Sequence, residues 1–217
     1  MQKRDSLTEL PKDMLCDLHI HSKYSHDSLS RPRDILKRAK KVGLDTISIT
    51  DHNSMTGSLE AAQISKEFGV QVITGIEIST DVGDVIGIGI TEAIDSQDWR
   101  EVVYSIHNQG GVAVFPHPCR DHKNHVEVAK AVDAIECFNA RVTKEDNDKA
   151  LRLARDYNRP IIAASDAHTL REIGNVINSV QGFGFSNGSI IKSEYADRFD
   201  VLWSIGIGKV RTLISSI

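Results

Sequence analysis

The chain has 217 residues, 40% of them hydrophobic and 26% charged, with a formal net charge of −4 from 26 basic and 30 acidic side chains. A chain of this length buries on the order of 70–75% of its unfolded surface, and its composition excludes a disordered chain, a collagen-like fibre and a disulfide miniprotein. It carries no basic excess of the kind that marks a whole domain for nucleic-acid backbones, so only a local basic patch could serve that purpose.

In chain order, residues 1–12 are polar and read as a loose lead-in. Residues 14–20 (MLCDLHI) read as a buried strand, and a helix follows over 32–42, opened by Pro32 and stopped by Gly43. Residues 45–50 (DTISIT) alternate as a strand does, 55–68 form an amphipathic helix capped by Gly69, and 70–78 (VQVITGIEI) are a third strand. After a turn at 81–83, the glycine-thinned segment 84–90 (DVIGIGI) is a fourth strand. A helix is predicted over 96–109, strands over 112–115, 133–138 and 160–165, a short helix over 126–131, and a helix over 143–157 with Thr143 and Asp146 as a capping pair. Residues 175–180 add a further strand, 189–205 read as helical, and the apolar tail 210–214 is unassigned.

Short strands alternating with helices predict an α/β fold with a mostly parallel sheet. No linker or repeat divides the chain, which predicts one domain over residues 1–217. The N-terminus lacks the apolar core of a secretory signal, and no apolar run approaches the ~20 residues of a membrane span. The three cysteines, Cys16, Cys119 and Cys137, have no framework spacing, so a reducing cytoplasm is the expected setting.

In such folds chemistry gathers at the carboxyl ends of the strands. The first strand ends in DLHIHS, where His19 and His21 share a face by the two-residue strand period. The pair reads either as two surface histidines or as a grip on one metal ion. Asp27 follows, with His26 beside it. In ITDHN, Asp51 and His52 directly follow an apolar strand, as a helix cap or as site residues. Glu77 stands between Ile76 and Ile78, where a carboxylate needs a salt bridge or a metal. His117 is held between two prolines, and Asp166 and His168 are two apart in AASDAH, facing one way if the extended backbone persists. Together these carboxylates and imidazoles suit two or three divalent ions of zinc, manganese or iron, and suit calcium poorly.

The series DLHIHSKYS-HDS, ITDHN, GIEIS, PHP and SDAH, in that order from Met14 to at least His168, resembles the polymerase-and-histidinol-phosphatase (PHP) superfamily. The resemblance implies a distorted, TIM-like (βα)7 barrel with up to three metal ions at its mouth. It places His19, His21, Glu77 and Asp166 on a first metal, Glu77 and His117 on a second, and Asp27, His52 and His168 on a third. Two departures stand out. His26 intrudes between Ser25 and Asp27, so either Asp27 or His26 could ligate, and Asp27 is favoured. Many members have histidine where this chain has Asp84, a carboxylate that changes the charge of the second site.

The resemblance and the ligand set point to hydrolysis of phosphate esters by metal-activated water. Substrates would be phosphorylated small molecules or short nucleic acids, with no membrane and no obligate protein partner. Arg120, Arg141 and Lys23 are candidates to hold the phosphate, and Asp17 and Asp51 to orient imidazoles. The alternatives are an amidohydrolase-like C–N hydrolase and a non-catalytic metal-binding scaffold subunit.

Overall fold

In a computed structural model, which describes residues 13–120, 122–123, 125–180 and 189–215, strands and helices alternate as the apolar spacing demands. They are β1 (Met14–Ile20), α1 (Pro32–Val42), β2 (Thr46–Ile49), α2 (Thr56–Ile64), β3 (Gln71–Thr80), β4 (Gly83–Ile88), α3 (Trp99–Asn108) and β5 (Val112–Phe115). Then come α4 (His125–Ala131), β6 (Ala134–Asn139), α5 (Lys144–Asp156), β7 (Ile161–Ala164), β8 (Val176–Val180), β9 (Ser189–Ser193) and α6 (Arg198–Ser215). The lead-in expected over residues 1–12 lies outside the described residues.

Local chemistry accounts for most of the boundaries. α1 has Pro32 in its first turn and ends at Gly43 in the left-handed conformation, φ 84°. Its Ile35, Leu36 and Ala39, at helical spacing, are buried against the sheet. The Asp98 carboxylate caps α3 by accepting the N–H groups of Arg100 and Glu101 at 2.8 and 3.3 Å. Thr143 caps α5 by accepting the Asp146 N–H at 3.2 Å while its hydroxyl donates to the Asp146 carboxylate at 2.7 Å.

The sheet runs in the order β7-β6-β5-β4-β3-β2-β1-β8-β9. β1–β2, β2–β3, β5–β6 and β6–β7 are parallel, whereas β3–β4, β4–β5, β1–β8 and β8–β9 are antiparallel. The expectation of a mostly parallel sheet therefore needs correction. Only Asp81 and Val82 separate β3 from β4, and a two-residue connection can only reverse the chain, since a parallel return needs a crossover. Together β1 to β7 form a distorted, nearly closed barrel. Its seam is stitched by side chain and by loop. The Asn178 amide both donates to and accepts from the Ala163 backbone at 2.9 Å. Beyond the end of β7, Ala167 accepts the His21 N–H at 2.8 Å.

The predicted helix over 189–205 is also corrected. Ser189–Ser193 (SIIKS) is a strand on β8, its β-branched pair suiting a pleated surface better than a helix. The helix begins at Arg198, behind an Asp197 carboxylate that accepts the Phe199 N–H at 2.7 Å, and it takes in the tail left unassigned by the sequence. No helix among the described residues is long and apolar enough to cross a membrane.

Two apolar layers cover the outside of the barrel: Ile35, Leu36, Ile47 and Ile49 under α1 and α2, and Ile76, Val85, Val102, Ile106 and Phe115 under α3 to α5. A third cluster fills the lower interior with Cys16, Leu18, Ile86, Ile88, Val114, Ala134 and Ile162. In β1 the register shifts between Asp17 and Ile20. That irregularity lets Leu18 below and His19 above both face inward, which an unbroken two-residue period forbids.

Candidate metal centre

Above the apolar cluster the barrel interior turns polar, and the predicted ligands meet there. His19 Nε2 and His21 Nε2 are 3.0 Å apart. His19 Nε2 lies 3.4 Å from Glu77 Oε2 and 3.5 Å from Asp166 Oδ1, and His21 Nε2 lies 3.3 Å from each. Four donors held tetrahedrally about 2.0–2.2 Å from one ion stand about 3.4 Å from each other. The separations of each carboxylate from the two imidazoles match that spacing; the donor atoms of His19, His21 and Asp166 form one group and those of His19, Glu77 and His117 another, so His19 belongs to both.

The other predicted groups adjoin it. His117 Nε2 is 3.1 Å from Glu77 Oε1, so Glu77 turns one oxygen to each group. Asp27 Oδ2 lies 2.8 Å from His168 Nε2 and 3.4 Å from His52 Nε2. His52 Nδ1 lies 3.2 Å from Glu77 Oε2. His26 is more than half exposed and 3.9 Å from Asp27, so the inward-facing residue of that pair is Asp27. Asp84 has its carboxylate within 4.8 Å of donor atoms of His117 and His122 on one side and of His52 and Glu77 on the other.

Backbone strain aims two of these side chains. His117 and Asp166 have φ of 27° and 52°, left-handed values that non-glycine residues adopt sparingly. The extended geometry on which a shared face for Asp166 and His168 was predicated does not persist. Asp166 joins the first group and His168 the third. The His117 N–H, turned inward by this bend, donates to Glu136 Oε2 at 3.0 Å.

Glu136 was not among the predicted site residues. It is fully buried and accepts from His19 Nδ1–H at 2.8 Å, from the His117 N–H, and from Asn139 at 3.1 Å. It thus leaves His19 Nε2 turned toward the ligand set, as orienting carboxylates do in metal sites. Its signal was in the sequence, since it interrupts the apolar strand AIECF as Glu77 interrupts GIEIS.

The residues expected to orient imidazoles do other work. Asp51 spends one oxygen on the Ser22 N–H at 2.5 Å and the other on the Ser22 hydroxyl at 2.7 Å, pinning the loop after β1. A Cβ at Gly57 would collide with that carboxylate. Burial pushes the Asp51 carboxyl up to about 6, against the Ser22 hydrogen bonds. Asp17 accepts the Ser165 N–H at 3.3 Å, and burial pushes its carboxyl up to about 7 against the Ser165 hydrogen bonds and the nearby His19.

The cationic candidates separate. Arg120 reaches the cluster, with Nη1 3.7 Å from Asp166 and Nη2 3.4 Å from His117 Nε2, while its head is 40% exposed toward the mouth. Arg141 is 5% exposed. It donates to Glu172 Oε1 at 2.6 Å and to the Ser204 hydroxyl, so it braces α6 against the loop after β7. Lys23 pairs with Glu60 at 3.6 Å, away from the cluster. A cavity of about 820 Å³ opens over Asp27, His52, His168 and Arg120, and α6 forms its far wall through Val201, Ser204 and Lys209.

The charge of the cluster suits a cation. Burial would raise Glu77, but His52 and His19 hold it well below the usual carboxylate range, and Asp166 is held down likewise by His19 and His21. Burial disfavours a charged His52, yet Glu77 and Asp27 push it up to about 9. His21, buried beside His168, is pushed down to about 3. Burial and the nearby Glu77 raise the Asp84 carboxyl. Among the described residues Glu77 Oε2 and the Nδ1 atoms of His21 and His117 are buried without a hydrogen-bond partner. An oxygen left unpaired amid imidazoles is costly unless a cation meets it. The donor set fits divalent zinc, manganese or iron.

The family model described as PHP domain matches residues 17–200, which leaves most of α6 beyond the match. An uncharacterized protein of Methanocaldococcus jannaschii is 40% identical over 147 residues, 58% of this chain and 82% of that protein. A 5'-3' exoribonuclease of Haemophilus influenzae is 29% identical over 185 residues, 83% of this chain and 61% of the enzyme. Among solved structures, a two-domain protein of Bacteroides vulgatus containing a predicted PHP-like metal-dependent phosphoesterase superposes with a TM-score of 0.73 at 18% identity, over 95% of this chain and 74% of that one. That last likeness is one of fold.

Proposed function

The chain belongs to the PHP domain family, and from that premise we propose that it hydrolyses phosphate esters of small molecules, nucleotides or short oligonucleotides with two or three divalent ions. The observation that carries the reading is the convergence of Glu77 Oε2 and Asp166 Oδ1 on the Nε2 atoms of His19 and His21 at 3.3–3.5 Å, with Glu77 Oε2 buried and without a hydrogen-bond partner. Divalent ions in such a setting lower the pKa of bound water and neutralise phosphoryl charge.

The remaining work falls to side chains of this chain. Glu136 fixes the ring of His19 so that Nε2 faces the set. Glu77 offers one oxygen to each of two neighbouring groups. Arg120, cationic and half open to the cavity, pairs with a phosphoryl oxygen entering over Asp166. Likeness to a 5'-3' exoribonuclease supports including short RNA beside simple phosphomonoesters among the substrates to try.

A panel of phosphomonoesters, phosphodiesters, short RNA and DNA and an amide control, run with Mn²⁺, Zn²⁺ and chelator, tests the reading. Metal-supported ester hydrolysis that chelation abolishes is expected, with Arg120→Ala lowering kcat/KM by about 10²-fold. Chelator-insensitive turnover, or hydrolysis of the amide alone, would defeat it.

A further inference from the structure

One imidazole at the mouth, His122, was not picked out by sequence and performs a different task from the others. It follows β5 on the loop to α4. Its Nδ1–H donates to the Arg120 carbonyl at 2.6 Å, and its Nε2 accepts the backbone N–H of Asp84 at 2.8 Å. An amide N–H can only donate, so the proton of the ring is on Nδ1 and the lone pair is on Nε2. The ring rests edge-on against Phe115, at 5.1 Å between centroids, and tilts against His117 at 5.3 Å.

The reason lies in the sheet. Among the described residues β4 pairs with β5 only through Ile86, Gly87 and Ile88, so the part of β4 nearest the mouth, Gly83 to Val85, has no partner strand there on that side. A half-buried backbone N–H there needs an acceptor. The loop after β5 supplies one: His122 takes the Asp84 N–H, and the Lys123 N–H donates to the Val82 carbonyl at 2.7 Å. Gly83 completes the fit. Its φ is 130°, and a Cβ there would collide with the His122 ring.

His122 lies with Asp84 and His117 in a group whose donor atoms are within 4.8 Å of each other. Its lone pair is nevertheless spent on the backbone. We infer that His122 is a positioning residue, a clamp that ties Asp84 on β4 to the loop carrying His117 and Arg120 and so sets the second ligand group. The inference rests on the proposed second ion. Losing the clamp frees Asp84 and the loop together while leaving His19, His21 and Asp166 in place.

Titration of chelator-stripped protein with Zn²⁺, read as bound zinc per chain after dialysis, tests this directly. His122→Phe keeps a ring and loses both hydrogen bonds, and should weaken the last-bound ion about 10–100-fold. His122→Gln restores a donor and an acceptor, and should bind zinc as the parent does. A Phe variant equal to the parent would overturn the clamp. So would a Gln variant as weak as the Phe variant, since that outcome makes the imidazole itself a ligand. The unmodified chain gives a second measurement, independent of variant folding. Long-range ¹H–¹⁵N spectra should show His122 as the Nδ1–H tautomer, with no coupling to ¹¹³Cd when cadmium is loaded, and a cadmium coupling at His122 would overturn the inference. A parent that takes up no second ion defeats the proposed function and the clamp together, whereas a parent and a Phe variant that both take it up defeat the clamp alone.

Discussion

The lower interior of the barrel and its mouth are built by the same strands, and a step of two to four residues separates them. On β6, Ala134 belongs to the lower apolar cluster and Glu136, next along the same face, accepts from His19. On β3, Ile73 packs at the edge of that cluster, and Glu77, four residues on, stands among the imidazoles. Below, side chains meet by dispersion and exclusion of water, and any apolar group of the right volume serves. Above, each carboxylate is tolerated only because specific imidazoles or amides face it. The first region has the stability of a core, and the second gathers carboxylates and imidazoles that could hold a cation.

Breaking each end in turn sharpens the contrast. Glu77→Gln should have the largest effect, because one amide replaces a carboxylate facing His19, His21, His52 and His117. Metal-supported turnover should fall on the order of 10³-fold, and elemental analysis should show less bound metal. Retention of full metal content would remove Glu77 from the ligand set. Ile86→Ala, in the lower cluster, should cost about 2–5 kcal/mol in urea denaturation and leave the metal content per chain unchanged. If this core variant sheds metal as Glu77→Gln does, the two ends are not independent.

The smallest effect is one of pH, at the border between the regions. Burial holds the Asp17 carboxyl up to about 7 in the folded chain, against about 3.9 when unfolded. The folded state then prefers the protonated form, so this residue's contribution to stability is present below pH ~4 and is lost as pH rises toward about 7. Asp17→Asn removes that loss, by at most about 1.4 kcal/mol per pH unit. The variant's gain over the parent in denaturation midpoint should be larger at pH 8 than at pH 5. A gain that is flat with pH contradicts the assignment.

The fold was largely legible because its signals are local. Pro32 and Gly43 bound α1, Asp98 and Thr143 cap their helices, and apolar runs mark β1, β2, β3 and β5. The segment Ser189–Ser193 escaped because its pairing with β8 is a contact across the chain, and an apolar stretch before a helix reads as part of that helix. The reversal of β4 was written in the two-residue turn at Asp81 and Val82, although alternation with helices argued for a parallel sheet.

In the site, residue type was visible and partnership was not. His19, His21, Asp27, His52, Glu77, His117, Asp166 and His168 were named from their places at strand ends, and the fold brings them together. Asp51 and Asp17 carry the chemistry of orienting carboxylates, yet Ser22 and Ser165 are what they meet, while Glu136 faces His19. Arg141 and Arg120 look alike in sequence and both line the cavity, but a buried Glu172 pairs with the first, whereas the second lies beside Asp166 and His117.

By itself the sequence determined which side chains can ligate, where strands and helices begin, and that the chemistry gathers at one end of the barrel, since these follow from residue type and from two- and 3.6-residue periods. Only the tertiary structure decided which carboxylate faces which imidazole, that a β1 irregularity turns both Leu18 and His19 inward, and that His122 meets Asp84 across 38 residues of chain. Such pairings depend on distances between segments remote in sequence, and those distances are set by how the whole sheet curls and closes.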